Sequence, residues 1–460
     1  MPDCSRRSFL GGAACLGLAG CVSPGGLFAG DRPNLRFGVL SDIHVTDWAS
    51  TEVFRKALRY FRDRGVDAVM IAGDLADHGL LPQLENVAGA WYEVFPDDRG
   101  PDGRKVEKLF IYGNHDPEGL SYRDAPMERA FKAMHLTYAE AEKLTLTALG
   151  LGKCWEKCFH EAYSPIYVKN VRGYDFIGGH WDRWDGIRGL EDWWKANVSR
   201  VDTAKPFFYF QHCAPRNTVY GADSWGDDAG QSVRCLAPYA NAVAFSGHSH
   251  LPLTDGRSCW RGEFTSISAS TLSYVCMPAG CESAPDYRRN LDCRQGQLVS
   301  VFDDRLEIER RDFVHDEPLD ADLVLEMPAA VSSFGVRAVA VRNLPAFPAG
   351  ARIRAIADGD ALEISFPGAF ANPTARPFRY RVVVECARGK GGERRRVVTR
   401  WFQTDAAFSR ARAENRGNFV SIPLSRLPAD AVQALVRITP ENSYGGCGGE
   451  LVSDFIQLKV

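Results

Sequence analysis

Five short polar segments lie between residues 41 and 250, and each follows a short apolar run. They are Ser-Asp-Ile-His at 41–44, Gly-Asp at 73–74, Gly-Asn-His-Asp at 113–116, Gln-His-Cys at 211–213 and Gly-His-Ser-His at 247–250. The apolar runs are typical of buried strands, and helical patterns separate some of them. Ligand sites of open α/β sheets lie just beyond the carboxyl ends of the strands. This layout therefore predicts an α/β domain whose polar segments meet at one place.

The rest of the first 315 residues fits the same kind of domain. The predicted strands are Leu35–Leu40, Ala68–Ala72, Leu109–Tyr112, Ile166–Val171, Tyr174–Gly178, Phe207–Phe210, Ala242–Phe245, Val299–Phe302 and Leu306–Arg311. Phe54–Arg64 predicts a helix, because its apolar residues recur on one stripe. Residues 117–165 interrupt the strand pattern with helical patterns at Met127–His135 and Tyr138–Leu149. They predict an inserted cap or rim near the polar segments.

Taken together, the five segments resemble the signature of the calcineurin-like metallophosphoesterases, over roughly residues 35–315. The resemblance implies an αββα sandwich of mixed sheets that hydrolyses phosphate esters through a hydroxide bridging two metal ions. By the same resemblance, the ligands of the first metal would be Asp42, His44 and His250, and those of the second Asn114, His212 and His248. Asp74 would bridge the two metals. His115 would give a proton to the leaving group, and Asp116 would orient His115.

The residue types suit this chemistry. Two metals roughly 3.5–4 Å apart neutralise the phosphoryl oxygens and activate the attacking water. Oxygen and imidazole ligands suit Mn, Zn or Fe, and the sequence leaves the choice among these metals open. The i, i+2 spacing of Asp42 and His44 turns both side chains the same way in an extended segment. Gly73, Gly113 and Gly247 allow tight backbone turns beside a crowded centre.

Two further positions bear on the identity of the ligands and of the metal. His180, in Gly-Gly-His-Trp-Asp, also follows an apolar run and competes with His212 for one ligand position. His212 is preferred for its place in the order and for the Ala-Pro that follows Cys213, which leaves His180 as a pocket or core residue. Asp77 stands three residues after Asp74, where purple acid phosphatases carry a tyrosine that binds ferric iron. A tyrosinate-bound iron centre is therefore not expected.

The sequence indicates the substrate less narrowly than it indicates the metal ligands. Gly-Asp-Leu-Ala-Asp at 73–77 resembles the cyclic-nucleotide phosphodiesterase branch, which slightly favours phosphodiesters over phosphomonoesters. A nucleotide, a lipid head group or a phosphodiester-linked glycan would suit such a site. Several tryptophans either line its mouth or pack the core, namely Trp48, Trp181, Trp184, Trp193, Trp194 and Trp225. The rival from another class is a non-catalytic lipoprotein that keeps the metal site.

The N-terminus predicts export. Ser-Arg-Arg-Ser-Phe-Leu at 5–10 resembles a twin-arginine signal, and Leu-Ala-Gly-Cys at 18–21 resembles a lipobox. Residues 1–21 would then be a signal, with lipid attached to Cys21 and residues 22–34 as a Gly/Pro-rich tether. The expected location is the periplasmic side of a bacterial membrane.

Length, charge and the pattern of the C-terminal residues indicate the domain organisation. A length of 460 residues predicts two or three domains, and a formal charge of −3 argues against nucleic-acid binding. We assign residues 35–317 to the catalytic domain and residues 320–460, with their short alternating strands, to a β-sandwich of immunoglobulin or fibronectin type III-like kind. Ten cysteines follow Cys21, so disulfides and free thiols both remain open.

Overall fold

The structure is a computed structural model of the chain. It describes residues 32–122, 125–221, 224, 226–277, 288–290, 292–329, 342–372, 375–388, 394–402 and 417–458. The predicted signal, Cys21 and most of the predicted tether lie outside these residues, as do Trp225 and Cys281.

The first sheet carries three of the five polar segments. In spatial order its strands are Glu317–Pro318, Arg305–Asp312, Gln295–Val301, Leu35–Leu40, Ala68–Ala72 and Glu107–Ile111, and Leu323–Glu326 also pairs with Arg305–Asp312. Leu35–Leu40, Ala68–Ala72 and Glu107–Ile111 run parallel. Their carboxyl ends therefore meet at one edge of the sheet, as the apolar runs predicted.

The second sheet carries the other two segments. Its order is Ile166–Val171, Tyr174–Gly179, Phe207–Phe210, Ala242–Ser246, Thr265–Ser268 and Cys259–Arg261. The four strands from Tyr174–Gly179 to Thr265–Ser268 are parallel, and the two outer strands are antiparallel to their neighbours. The predicted strands Ile166–Val171 and Tyr174–Gly178 pair as an antiparallel hairpin, and so do Val299–Phe302 and Leu306–Arg311. In the structure the two hairpins span residues 166–179 and 295–312.

Aromatic residues fill the space between the two sheets. Phe37 of the first sheet meets Phe176 of the second edge to face, with ring centroids 5.1 Å apart, and Phe176 stacks on Phe208 at 4.7 Å. Helices cover the outer faces: Glu52–Asp63, Leu81–Val94 and Leu151–Phe159 pack on the first sheet, and Leu190–Asn197 and Gln231–Leu236 on the second. The predicted αββα sandwich of mixed sheets is confirmed.

The inserted segment is helical. Its helices are Ala125–Ala133, Tyr138–Lys143, Leu146–Leu149 and Leu151–Phe159. Leu151–Phe159 contributes Trp155 and Phe159 to the core beneath the first sheet. Ala141 of a preceding helix instead joins a small cluster with Leu80 and Phe131.

The C-terminal region is built from antiparallel strands. One sheet contains Arg354–Asp358, Ala361–Phe366 and Asn418–Pro423, and the other contains Arg379–Ala387, Arg394–Phe402, Gln433–Glu441, Leu451–Val452 and Ile456–Gln457. Tyr380, Val382 and Val384 are buried on one face, which confirms the predicted alternation. A single apolar core joins residues of both sheets.

Two further findings concern the described residues alone. Of the nine cysteines among them, Cys154, Cys158, Cys213, Cys235 and Cys386 are buried free thiols, and Cys447 is an exposed free thiol. None of the helices in these residues is long and apolar enough to cross a bilayer.

Candidate metal centre

All seven predicted metal ligands converge at the carboxyl ends of strands from both sheets. They follow Leu35–Leu40, Ala68–Ala72, Glu107–Ile111, Phe207–Phe210 and Ala242–Ser246. The loops are joined directly, because the backbone amides of Asp42 and His44 donate to the carbonyls of Gly73 and Asp74 at 3.0 Å. Residues more than 200 positions apart thus meet in one buried cluster.

One half of the cluster contains the residues predicted for the first metal. Nε2 of His44 lies 3.2 Å from Nε2 of His250, and the latter lies 3.0 Å from Oδ1 of Asp42. Oδ2 of Asp74 is 3.5 Å from Nε2 of His44. These four residues form a group whose donor atoms are close enough together to share one ion.

The other half contains the residues predicted for the second metal. Oδ1 of Asn114 lies 2.8 Å from Nε2 of His212 and 3.0 Å from Nδ1 of His248. Oδ2 of Asp74 lies 3.2 Å from the same His212 nitrogen. One carboxylate oxygen of Asp74 therefore faces both halves, while its Oδ1 accepts the backbone N–H of His115 at 2.8 Å.

The proton positions in this cluster fit metal ions. Nδ1 of His250 donates to the Tyr274 carbonyl at 2.9 Å, and Nδ1 of His44 to the Asp77 carboxylate at 2.8 Å. These partners can only accept, so in the neutral imidazoles each Nε2 presents a lone pair, and the two lone pairs face each other. Facing acceptors cannot hydrogen-bond to one another, and a cation between them resolves the conflict. His212 differs, although its Nδ1 also donates to a carbonyl, that of Ala72 at 2.8 Å. Burial alone would lower the pKa of His212, but Asp74 raises it to about 9, so a metal ion would replace a proton on its Nε2.

Backbone strain is concentrated at these ligands. Asp42, His44, Asp74, His248 and His250 all have φ between 45° and 67°. This left-handed region is uncommon for residues other than glycine, although Asp, Asn and His adopt it more often than most. Such conformations cost of the order of 1–3 kcal/mol each and gather at functional sites. Five of the seven predicted ligands share this strain, which indicates that the loops are shaped for the cluster.

The ionisation of the buried side chains in this cluster is set by burial and by their charged neighbours. The side chains of Asp42 and Asp74 are no more than 2% exposed. Burial alone would raise the pKa of Asp74, but the neighbouring His212 and His115 hold it well below its usual range. Burial, together with His212, lowers the pKa of His248 to about 3, so this imidazole is neutral, as a metal ligand must be.

All three predicted glycines leave no room for a side chain, and a Cβ on Gly113 would overlap Asp74. A Cβ on Gly73, whose φ is 101°, would overlap the imidazole of His212. A Cβ on Gly247 would overlap Ser41 and the carboxylate of Asp42. The glycines are therefore needed for close approach at the cluster, as the sequence predicted.

The structure corrects the expected role of Asp116. Its carboxylate accepts the backbone N–H groups of Gly113 at 2.7 Å, Ala76 at 2.8 Å and Leu75 at 3.2 Å, and so fastens two loops together. Nδ1 of His115 instead donates to the Asp77 carbonyl at 2.7 Å. Asp116 does not contact the His115 ring because its oxygens are engaged by backbone amides.

Asp77 thus serves two residues of the site, which the sequence did not predict. Its carbonyl holds His115, and its carboxylate holds His44 and lies 3.2 Å from Nε2 of His78. Partners that fix the tautomer of a ligating histidine commonly tune metal sites. The only available signal was a carboxylate three residues after Asp74.

His180 lies apart from the cluster. Its Nδ1 accepts the backbone N–H of Tyr112 at 3.0 Å, and its ring packs among Tyr112, Trp155 and Tyr163. Burial, and to a smaller extent Lys169, lowers its pKa to about 3. The preference for His212 over His180 agrees with this geometry.

The tryptophans divide between core and site. Trp194 is buried beneath the second sheet, and Trp193 packs against the same cluster. Trp48 packs over the guanidinium of Arg55. Trp181 and Trp184 lie beside the predicted ligand His248, with ring centroids 6.4 and 5.4 Å from it.

The αββα sandwich thus carries at its strand ends a buried Asp–His–Asn cluster that is suited to binding metal ions. Residues 35–252 match the family model of the calcineurin-like phosphoesterases. The chain therefore carries a calcineurin-like phosphoesterase domain, and the resemblance drawn from the five segments is confirmed. No curated protein matches the chain.

Several solved structures are similar in fold. A dimetal phosphatase from Danio rerio is 12% identical, covers 64% of this chain and 99% of its own, and has a TM-score of 0.39. A predicted phosphoesterase from Streptococcus pneumoniae is 14% identical, and its match covers 64% of this chain and 97% of its own. Its TM-score is 0.27. An archaeal phosphodiesterase is 12% identical, and its match covers 55% of this chain and 98% of its own. Its TM-score is 0.23. Likeness at this level says nothing about the substrate.

Proposed function

We propose that this chain hydrolyses phosphate esters at the buried cluster with two metal ions bound, and that it prefers phosphodiesters to phosphomonoesters. The observation that carries the proposal is the position of Asp74, whose Oδ2 lies 3.5 Å from His44 and 3.2 Å from His212. One carboxylate shared by two sets of oxygen and imidazole side chains is the arrangement that a dinuclear centre needs. The preference for diesters rests on the Gly-Asp-Leu-Ala-Asp segment at 73–77.

The seven residues would divide between the two ions as the sequence predicts. Asp42, His44 and His250 would hold one, Asn114, His212 and His248 the other, and Asp74 both. Bound Mn, Zn or Fe would supply a water of lowered pKa and positive charge for the phosphoryl oxygens.

His115 is placed to serve the leaving group. Its side chain is 22% exposed, whereas those of His44 and His212 are 3% exposed or less. Its Nδ1 is held by the Asp77 carbonyl, so Nε2 is the nitrogen left to give a proton to the departing alkoxide. Asp116 supports this arrangement indirectly, by fixing the loop that carries His115.

The experiment is a paired assay of purified protein, with Mn, Zn or Fe added, on one phosphomonoester and one phosphodiester. Turnover of the diester at the higher kcat/KM is expected. Turnover of the monoester alone would make the chain a phosphomonoesterase. Two bound metal ions without turnover of either compound would identify the rival, a non-catalytic metal-containing lipoprotein.

We also propose that the protein is an exported lipoprotein that faces the periplasm. The support is the order of Arg6-Arg7 and then Cys21 within 21 residues. Changing Cys21 to Ser should release the protein from the membrane fraction, and changing Arg6-Arg7 to Lys-Lys should block export. Unchanged fractionation of both variants would refute this location.

A further inference from the structure

The mouth of the metal centre carries an exposed tryptophan. Trp184 is 47% exposed, and its ring centroid lies 5.4 Å from that of His248 and 4.9 Å from that of Trp181. Trp181, in contrast, is 7% exposed, and its Nε1 donates to Glu118 at 3.3 Å. A large apolar ring is thus left open to solvent directly beside a predicted metal ligand.

The loop that presents Trp184 is held on both sides. The backbone N–H of Arg188 donates to the Asp182 carboxylate at 2.9 Å, and that of Ile187 donates to Gln231 at 3.1 Å. Ile187 itself is buried in the core beneath the second sheet. The backbone of the loop that carries Trp184 is therefore anchored, which reduces the entropy lost on binding.

Its surroundings favour a flat aromatic partner. The Trp181 ring meets the Trp184 ring at 81° and the His248 imidazole meets it at 63°. Trp181 and His248 are themselves buried, so the exposed ring surface at this place is that of Trp184. Aromatic rings stack on flat π-systems, and a nucleobase on a tryptophan is a frequent example. A phosphodiester has two ester arms, and only one of them leaves.

We infer that Trp184 is a specificity-determining residue that stacks on a nucleobase carried by the spectator arm of a phosphodiester substrate. This inference rests on the proposed function, since it assigns a substrate class to the same centre. The metal ligands and His115 would act on the phosphoryl group, and Trp184 would act on binding. Its contribution should therefore be seen mainly in KM.

The test compares diesters that release the same 4-nitrophenol and differ only in the spectator arm. The arms are thymidine, methyl and cyclohexylmethyl. The native chain should have a higher kcat/KM for the thymidine diester than for the other two. Trp184→Ala should raise the KM for the thymidine diester about tenfold and leave the methyl diester unchanged, given the usual contribution of base stacking. Trp184→Phe should retain most of the preference.

Trp48→Ala is the matched control. Trp48 is 43% exposed, close to the exposure of Trp184, but it packs against Arg55. Its removal should alter none of the three KM values. Equal loss on all three diesters in Trp184→Ala would show a purely structural role and overturn the inference. Equal preference for cyclohexylmethyl and thymidine would overturn it in favour of a general apolar pocket. If none of the diesters is turned over, the proposed function fails instead.

Discussion

The phenol ring of Tyr122 lies flat against the imidazole of His115, with ring centroids 4.4 Å apart and planes inclined by 13°. The Tyr122 hydroxyl also accepts a hydrogen bond from Nδ2 of Asn114 at 2.8 Å. One residue thus contacts both the predicted proton donor and a predicted ligand of the second metal. The hydrogen bond matters because it turns Oδ1 of Asn114 towards His212 and His248.

Tyr122→Phe should weaken the second metal site alone. The variant keeps the ring on His115 but loses the acceptor for the Asn114 amide, which can then rotate and present nitrogen to the metal. We expect affinity for the second ion to fall by about tenfold, within the range found for outer partners of metal ligands. Calorimetric titration of metal-free protein with Mn²⁺ measures this. Tyr122→Leu should in addition lower kcat, and unchanged binding of both ions in Tyr122→Phe would contradict the role.

Asp74→Asn should remove metal and activity together. The native chain should contain two metal ions per molecule by elemental analysis. The substitution removes the negative charge that both halves of the cluster share, so both ions should be lost. Asp192→Asn is the control, because this carboxylate is 89% exposed and removed from the cluster. Native protein that is folded, supplied with metal and still free of it would contradict a dinuclear centre.

The convergence of the seven predicted ligands could be predicted from sequence because metal-binding chemistry leaves few choices of residue type. A carboxylate or imidazole directly after a buried strand is conspicuous, and glycines 73, 113 and 247 mark where the loops crowd together. The partners of the ligands could not be predicted in this way. Asp116 binds backbone amides, and Asp77 uses its carbonyl on His115, so neither contact has a signature in the order of side chains.

A strand and a helix of the catalytic domain were not predicted from the sequence, and the reasons are physical. Thr265–Ser268 is a fully buried strand in which three of the four residues are polar, and it pairs with Ala242–Ser246, so apolar runs could not reveal it. The Leu190–Asn197 helix did leave a signal, since Leu190 and Trp194 are four residues apart and both are buried. That spacing already favoured the core for Trp194.

His180 should make the fold sensitive to acid. Its folded-state pKa of about 3 is below the ordinary value of 6.5 in the unfolded chain. The unfolded state therefore binds a proton that the folded state refuses, and stability is lost as the pH falls from about 6.5 towards 3. The loss is at most about 1.4 kcal/mol per pH unit.

His180→Asn provides the measurement. An asparagine oxygen can still accept the Tyr112 N–H, but it does not titrate. Urea unfolding of the metal-free native and variant proteins between about pH 7 and pH 5 should show the difference in stability shrinking as the pH falls. A difference that stays constant over this range would show that His180 is not the group responsible.

His115→Asn separates proton donation from metal binding. The substitution leaves all seven predicted ligands in place, so the metal content should stay near two ions per chain. It removes the proton donor for the leaving group, a contribution of typically about 10²–10⁴-fold. Turnover of an alkyl phosphodiester should therefore drop steeply, and turnover of a nitrophenyl ester much less, since nitrophenolate leaves without a proton. Loss of metal from the variant would make His115 a ligand. An unchanged rate on the alkyl ester would instead remove it from the reaction.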